Sequence, residues 1–241
     1  MKISARPAAV LGARNLFRSA GGRTEVRAPE GLRRSHSEGA GEKLIVFVKA
    51  PRPGTVKTRL AEAIGAESAC AAYRRIVATL LSQLQSLNAV ELCFTPDDAA
   101  DQVRGWLKDG WNSSPQAQGD LGQRLQSAFA RAFDTGAKRV VVIGSDCPAV
   151  TDKDILEAWE ILRTADVALG PATDGGYWLI GLREVHPGLF YGIPWSTEKV
   201  FAETLERIRG SGLRVRLLRE LTDVDTEGDW RHFVASRNQV E

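Results

Sequence analysis

The residues best suited to chemistry lie in a basic turn between Lys49 and Arg59. An apolar run at residues 44–48 precedes this turn, and a helical pattern follows it. This is the order of the first strand, loop and helix of a nucleotide-binding sheet, which binds its ligand outside the carboxyl ends of its strands. Lys49, Lys57 and Arg59 would then lie beside the phosphates of a nucleotide. A solvated basic turn without function is the alternative.

Prolines stiffen this turn, so it would bind phosphate by side-chain charge more than by backbone amides. Pro51 fixes φ and lacks a donor, as does the proline at position 53. The turn is not a Walker loop, because the positions one and six residues before Lys57 hold Val56 and Pro51 instead of glycine. Gly54 stands alone, so the dinucleotide fingerprint G-x-G-x-x-G is also missing. P-loop kinases and the usual nicotinamide and flavin enzymes are therefore not indicated.

A carboxylate, Asp146, follows the most apolar strand-like run of the chain, residues 139–143. It would lie at the edge of the sheet where ligands bind. A single carboxylate there suits Mg²⁺ or Mn²⁺, which take oxygen ligands and keep positions for substrate phosphates. The alternative is a helix-capping or Asx-turn residue. Cys147 is a poor candidate nucleophile, because the sequence places no His–acid pair beside it.

A second group of carboxylates lies near the carboxyl end, at Asp223, Asp225 and Asp229. Strand periodicity predicts that Asp223 and Asp225 point to the same side. Asp225 paired with Asp146 across a cleft would complete a two-carboxylate metal site. Helix capping alone explains Thr226 and Asp229, but it explains the other two acids less well.

A third group combines glycine, acid and aromatic residues: Asp174, Gly175, Gly176, Tyr177 and Trp178. The glycines allow close backbone approach, the acid can accept hydrogen bonds from sugar hydroxyls, and an aromatic face can pack on a sugar ring. A hairpin turn between two strands explains the same pattern without function. Trp195, before a predicted helix, is either part of an acceptor wall or a packed residue near an N-cap.

Composition limits the class of protein. The chain has 241 residues and 43% apolar content, enough for one sizeable core, and no apolar run approaches the ~20 residues that span a bilayer. The chain carries +2 and residues 1–40 carry +5 (one Lys, seven Arg, three Glu), so the rest carries −3. A nucleic-acid footprint is therefore not expected outside the first forty residues.

Cysteine and histidine usage excludes two other classes of site. Cys70, Cys93 and Cys147 are odd in number and lack C-x-x-C spacing, and the three histidines form no ligand pair. Neither a disulfide framework nor a zinc site is indicated. Any metal chemistry must therefore use carboxylates.

Residues 1–41 are predicted to be a disordered basic extension, and residues 42–241 a single domain. The extension resembles an organellar transit peptide weakly, and an over-long gene start explains it equally well. It lacks the continuous apolar core of a secretory signal. A cytoplasmic protein beginning near Glu42 is the expectation.

Helical and strand-like patterns alternate along the body. Helices are predicted at residues 57–64, 67–87, 98–108, 120–134, 151–163, 196–208 and 227–236, and strands at 44–48, 90–95, 139–143, 167–169, 177–182 and 213–218, with 112–119 a loop or brief edge strand. This alternation predicts a three-layer α/β domain.

Five motifs together resemble a bacterial family of glycosyltransferases with the GT-A fold, whose members are often named after arsenosugar biosynthesis or radical-SAM and selenium-linked gene clusters. The motifs are KAPxPGxVKTRL at 49–60, GDLGQRL at 119–125, GSDCP at 144–148, GPAxDGGYW at 170–178 and WST at 195–197. More distant relatives are the guanylyltransferases of molybdenum-cofactor and deazaflavin-cofactor synthesis. The resemblance covers about residues 43–232.

The resemblance implies a nucleotide-diphospho-sugar transferase fold, a Rossmann-like sandwich around a mostly parallel mixed sheet. The first loop would hold the nucleotide with help from Arg124 and Ser145, and Asp146 would bind the metal. Asp225 falls where related nucleotidyltransferases place a second metal ligand. The Asp174 turn would face the sugar. The chain departs from many glycosyltransferases in lacking the Asp-x-Asp motif at Asp146.

These features predict transfer of a sugar from a nucleotide sugar to a small-molecule acceptor, assisted by Mg²⁺ or Mn²⁺. Asp146, Lys57 and Asp174 would be catalytic. The alternatives are a nucleotidyltransferase that releases pyrophosphate and a non-catalytic nucleotide-binding regulator. Neither a nucleic acid nor a membrane is an expected partner, and a homodimer is compatible with the sequence.

Overall fold

The structure is a computed structural model, and it describes residues 41–237. The predicted disordered extension, residues 1–41, lies outside the described residues apart from Gly41. Both its disorder and the domain boundary at residue 42 remain predictions. Among the helices of the described part, none combines the length and the hydropathy needed to cross a membrane.

Seven strands and seven helices alternate along the described chain. The strands are β1 (Glu42–Lys49), β2 (Val90–Thr95), β3 (Asn112–Pro115), β4 (Arg139–Ile143), β5 (Val167–Pro171), β6 (Tyr177–Leu182) and β7 (Val215–Leu217). The helices are α1 (Thr58–Ile64), α2 (Ala66–Gln83), α3 (Ala100–Arg104), α4 (Leu121–Asp134), α5 (Asp152–Ile161), α6 (Val200–Gly210) and α7 (Glu227–Arg237).

The strands form one mixed sheet in the order β3-β2-β1-β4-β6-β5-β7. All neighbours pair in parallel except β6, which runs against both β4 and β5. The prediction of a mostly parallel mixed sheet is confirmed. The chain leaves β1 toward β2 on one side and returns to β4 on the other, so the order reverses between β1 and β4. In open α/β sheets this is where ligands bind, at the carboxyl ends of the strands.

Two hydrophobic cores, one on each face of the sheet, explain the apolar runs of the central strands. In β4, Val141 and Ile143 pack in one core, and Val140 and Val142 pack in the other. Side chains of α2 and α5 complete the first core, and those of α4 and α6 complete the second. A strand covered on both faces needs an unbroken apolar sequence, because successive side chains point to opposite faces. The three-layer α/β prediction is confirmed.

Several element boundaries differ from the prediction. The helix predicted from residue 196 begins at Val200, because Ser196 adopts a positive φ of 65° and the chain turns there. The helix predicted at residues 98–108 is a short 3₁₀ turn followed by α3, and α2 ends at Gln83 rather than residue 87. Thr151 precedes α5, and the Asp154 carboxylate accepts hydrogen bonds from the Thr151 amide and hydroxyl at the start of this helix.

A buried ion cluster gives a prediction about stability. The Glu91 carboxylate on β2 pairs with Lys43 and Arg131 and accepts from the Ser114 hydroxyl. Burial alone would raise the pKa of Glu91, but the hydrogen bonds from Lys43 and Ser114 and the charges of Lys43 and Arg131 hold it below its ordinary value. We expect Glu91→Gln to lower the free energy of unfolding at pH 7 by about 2 kcal/mol in urea titrations, because two cations lose their buried partner.

The dependence of stability on pH in acid follows from the lowered pKa of Glu91. The Glu91 carboxylate stabilises the folded protein above the pKa that this group has in the unfolded chain, and this stabilisation is lost as the pH falls through its pKa in the folded protein. The difference between wild type and Glu91→Gln should therefore shrink in acid. Glu160→Gln, which removes an exposed pair with Arg163, is the control and should change stability by less than about 0.5 kcal/mol. An equal loss in both variants would contradict the assignment.

Candidate functional site

The loop after β1 is held by side chains from α2. The Pro51 carbonyl oxygen accepts from Cys70 Sγ at 3.0 Å and from Arg74 Nη2 at 3.1 Å. At the end of the loop, Lys57 has a left-handed backbone conformation (φ 50°, ψ 48°), which is strained for a residue with a side chain. Its side chain is only 3% exposed and pairs with Asp146. The loop is therefore shaped so that one lysine turns inward.

The turn after β4 presents Asp146 to solvent and turns Ser145 inward. Asp146 is half-exposed, and α5 begins later with Thr151 before its first residue, so Asp146 does not cap that helix. Ser145 is 4% exposed and lies 3.0 Å from the Tyr73 hydroxyl, and either oxygen can donate. The Tyr73 hydroxyl also accepts from the Lys49 amide at 2.9 Å.

The segment between β7 and α7 brings two more acids to the same place. The Val224 amide donates to the Asp146 carbonyl oxygen at 2.9 Å. The Val224 side chain is buried with Ile76 and Phe233, so Asp223 and Asp225 on either side of it face the cleft. The two acids do share a side, as predicted. The segment is not a strand, however, because it pairs with a turn and not with a neighbouring strand.

The Asp-Gly-Gly sequence forms the hairpin turn between β5 and β6. Asp174 Oδ1 accepts from the Gly176 amide at 2.9 Å, which is an Asx turn. Gly175 has a φ of 88°, and a Cβ there would overlap the Glu198 carbonyl oxygen. The prediction that this motif forms a hairpin turn between two strands is therefore confirmed. The turn also places Asp174 beside the acids described above.

These segments enclose a polar cleft of about 360 Å³, a volume within the usual range for ligand sites. It is lined by Lys57, Arg59, Asp146, Thr173, Asp174, Thr222, Asp223, Asp225, Thr226 and Asp229. The cleft lies beside the carboxyl ends of β1 and β4, where the strand order reverses.

The cations of the cleft are paired with its acids. Besides the Lys57–Asp146 pair, Arg59 Nη1 lies 3.1 Å from Asp225 Oδ2. Asp229 accepts from the amide and hydroxyl of Thr226, which precedes α7, so helix capping accounts for these two residues. The five acids that line the cleft outnumber its two basic side chains, so the cleft carries an excess of negative charge.

The negative charge of the cleft shifts the pKa of Asp223 in particular. Burial, followed by the charges of Asp146 and Asp174, raises the pKa of Asp223 to about 7, and the charge of Lys57 opposes the shift. Its Oδ1 atom is buried and has no hydrogen-bond partner among residues 41–237. Sequence reasoning placed Asp223 near the site but did not include it among the metal ligands. The sequence feature that could have indicated Asp223 as a ligand is the Asp-x-Asp spacing of residues 223–225, and this spacing does not distinguish Asp223 from Asp225.

Ten of the fifteen predicted site residues do not line the cleft. Lys49 is the last residue of β1, Pro51 and Gly54 lie in the loop after it, and Gly175 and Gly176 lie in the hairpin. Arg124 donates to the Gly119 carbonyl oxygen and to Gln116, which itself bonds to the carbonyl oxygens at the ends of β1 and β2. These residues surround the cleft at the carboxyl edge of the sheet.

The predicted aromatic residues pack in or against the two hydrophobic cores. Trp178 is 3% exposed, and its indole donates to the Arg219 carbonyl oxygen, so its face is not open to a sugar ring. The hydroxyl of Tyr177 is buried, and its ring meets Trp195 edge to face at 6.5 Å. Trp195 is partly exposed and packs against Gly122 of α4.

The acids of the cleft belong to the ligand type that hard divalent cations prefer. Asp146, Asp223 and Asp225 line the cleft, and the buried Oδ1 atom of Asp223 has no hydrogen-bond partner among the described residues. Within the described residues, no group of three or more Asp, Glu, His or Cys residues has the geometry to hold an ion. One or two carboxylates with substrate phosphates and water is the arrangement usual for Mg²⁺.

Comparison with solved structures places the chain among known proteins. A "putative nucleotide-diphospho-sugar transferase" from Desulfovibrio desulfuricans G20 is 38% identical, with a TM-score of 0.73, over 78% of this chain and 83% of that one. The chain belongs to the nucleotide-diphospho-sugar transferase-like superfamily. A family model described as "Uncharacterized protein conserved in bacteria (DUF2064)" matches residues 79–197. No curated protein matches the chain.

Two more distant structures share the fold of this superfamily. CMP:2-keto-3-deoxy-manno-octonic acid synthetase, in complex with CTP, is 13% identical with a TM-score of 0.53, over 83% of this chain and 99% of that one. Rv0371c from Mycobacterium tuberculosis H37Rv, in complex with manganese, is 16% identical with a TM-score of 0.51, over 81% and 99%. At these identities the likeness concerns the fold alone.

Proposed function

We propose that the protein transfers a sugar from a nucleotide-diphosphate sugar to a small-molecule acceptor. The observation that carries the proposal is the cleft beside β1 and β4, which sets Lys57 and Arg59 against Asp146, Asp223 and Asp225. Lys57 and Arg59 could neutralise the negative charge of a diphosphate, and the carboxylates could hold a divalent cation beside it. The name of the D. desulfuricans relative supports the same chemistry. In its more specific form, the proposal is that the protein acts as a glycosyltransferase of the arsenosugar type that the motifs resemble.

In this mechanism the two basic side chains bind the diphosphate. Lys57 immediately precedes α1, Arg59 is the second residue of that helix, and both line the cleft, so together they would contact the phosphates. Both are held by carboxylates in the free protein and would exchange these partners for phosphate oxygens. Their positive charge would offset the charge that grows on the departing diphosphate, a preorganised electrostatic effect.

Asp146 with Asp223 or Asp225 would hold Mg²⁺ or Mn²⁺ in the cleft. The bound ion would supply further positive charge at the leaving diphosphate. Asp174 enters from the hairpin on the other side and could accept hydrogen bonds from the transferred sugar. Its Asx turn keeps one carboxylate oxygen bonded to the Gly176 amide, so the side chain is held in place before substrate binds.

A product assay tests the proposal. The full chain is incubated with a panel of nucleotide sugars, Mn²⁺ and small-molecule acceptors, and free nucleoside diphosphate is measured. We expect diphosphate release that stops after EDTA treatment and returns with Mn²⁺ or Mg²⁺. Wild-type turnover in metal-free protein would contradict the metal assignment. A thermal-shift panel selects the donor first, since a ligand at ~100 times its Kd adds about 2.7 kcal/mol of stability.

The second candidate is a nucleotidyltransferase, and the CTP complex with the same fold favours it. A phosphorylated or acidic substrate would attack the α-phosphate of a nucleoside triphosphate, and the same cations and acids would serve. Pyrophosphate release from a triphosphate would establish this reaction in place of the first. Ligand stabilisation without either product would instead indicate a nucleotide-binding regulator.

A further inference from the structure

One face of α2 contacts the loop that follows β1. Cys70, Tyr73 and Arg74 stand at i, i+3 and i+4, positions that share a helix face. Cys70 and Arg74 donate to the Pro51 carbonyl oxygen, and the Tyr73 hydroxyl accepts from the Lys49 amide. Helix α2 therefore holds the start of the loop after β1, residues 50–57, which is the proposed nucleotide-binding loop.

Tyr73 also contacts the turn that carries Asp146. Its hydroxyl lies 3.0 Å from Ser145 Oγ, one residue before Asp146. Tyr73 is 2% exposed, and its ring meets Trp106 edge to face at 6.2 Å, so the ring has little room to move. A single hydroxyl thus joins the carboxyl ends of β1 and β4, the adjacent strands from which the loop and the turn leave.

We propose that Tyr73 is a positioning residue that holds the Asp146 turn against the nucleotide-binding loop. The expected effect of Tyr73 on catalysis rests on the proposed function. Tyr73 would act through the Lys49 amide and Ser145 and would not touch substrate. Misplacement of reacting groups by about 1 Å can cost roughly a hundredfold in rate, so a fixed spacing between the loop and Asp146 matters.

Amide hydrogen exchange in Tyr73→Phe tests the connection without any substrate. The Lys49 amide loses its acceptor directly. The Val224 amide, which donates to the Asp146 carbonyl oxygen, reports on the turn. We expect both amides to exchange about fivefold to tenfold faster, the effect of one hydrogen bond on a local opening equilibrium. Trp111→Phe removes a comparable buried hydrogen bond to the Leu87 carbonyl oxygen and should change neither amide.

Kinetics test the consequence for the reaction. We expect Tyr73→Phe to lower kcat about tenfold and to leave the donor KM within about threefold, because the loop cations remain while their spacing to Asp146 changes. Ser145→Ala should lower kcat in the same direction, because it removes the Tyr73–Ser145 hydrogen bond and keeps the acceptor of the Lys49 amide. The double variant should lose no more than Tyr73→Phe alone, because the hydrogen bond that Ser145→Ala removes is already absent from Tyr73→Phe. Trp111→Phe should retain the wild-type kcat.

The outcomes separate this inference from the proposed function. Unchanged Val224 exchange in folded Tyr73→Phe overturns the inference whatever the reaction is. If Tyr73→Phe does not fold, Ser145→Ala breaks the contact from its other side, and the same exchange measurement decides. Absence of any transfer product with wild type would instead overturn the proposed function, and the exchange result would stand.

Discussion

Replacing Asp146 with asparagine is expected to lower turnover at least about a hundredfold, equivalent to ~3 kcal/mol of transition-state stabilisation, while the fold is retained. Asp146 combines a position at the carboxyl end of a central strand, exposure to the cleft and a direct pair with Lys57. It would also hold the divalent cation. The amide keeps the shape of the side chain but supplies neither charge nor a strong metal ligand.

Steady-state product release measures this loss, and thermal unfolding shows whether the variant is folded. Asp223 lies nearby with an unpartnered oxygen and can take over part of the pairing with Lys57, so we expect little loss of stability. Asp101→Asn is the control, because its exposed carboxylate pairs with Arg104 one helical turn away and does not line the cleft. Turnover within threefold of wild type in Asp146→Asn would remove Asp146 from the mechanism.

Replacing Lys57 with methionine is expected to lower turnover by about a hundredfold and also to destabilise the metal-free protein. The Lys57 ammonium is nearly inaccessible and lies among acids, pairing with Asp146 and acting on the pKa of both Asp223 and Asp229. Without it these carboxylates repel one another. Because Asp146 is half-exposed, we expect a loss of about 2 kcal/mol, below the full value for a buried pair.

Mn²⁺ should restore much of that stability, because the ion can replace the missing positive charge. Thermal unfolding with EDTA and with Mn²⁺ measures the effect, and the Mn²⁺-induced rise in Tm should be larger for Lys57→Met than for wild type. Lys43→Met also removes a lysine from an ion pair with a buried carboxylate, but one outside the cleft. Its loss of stability should not respond to Mn²⁺. Equal responses in the two variants would contradict the role given to Lys57.

The elements of this fold were largely predictable because their signals are local. A strand covered on both faces, such as β4, needs consecutive apolar residues, and α4 shows both an apolar stripe and the Asp120–Gln123 capping box. Ends of elements were less predictable. Whether α6 begins at residue 196 or at Val200 depends on how the preceding turn packs, and periodicity does not report this.

The site was predictable as a set of segments. The loop after β1, the turn after β4, the hairpin and the acids before α7 were each identified from residue types, and the structure brings Lys57, Arg59, Asp146, Asp174 and Asp225 into one cleft. The direction of individual side chains was not predictable. Trp178 packs in the core although its motif suggested a sugar platform, and Ser145 turns away from the cleft toward Tyr73.

The amino-acid sequence was therefore sufficient for the α/β class and for the position of the Lys49–Arg59 turn and the Asp146 turn at the carboxyl edge of the sheet. These follow from patterns among residues close together in the chain. The partners inside the cleft depend instead on segments far apart: Arg59 meets Asp225 across 166 positions, and Tyr73 joins the ends of two strands. Burial and pairing across such distances are set by how the layers pack, and that is why only the tertiary structure pairs Lys57 with Asp146 and leaves Asp223 Oδ1 without a hydrogen-bond partner within residues 41–237.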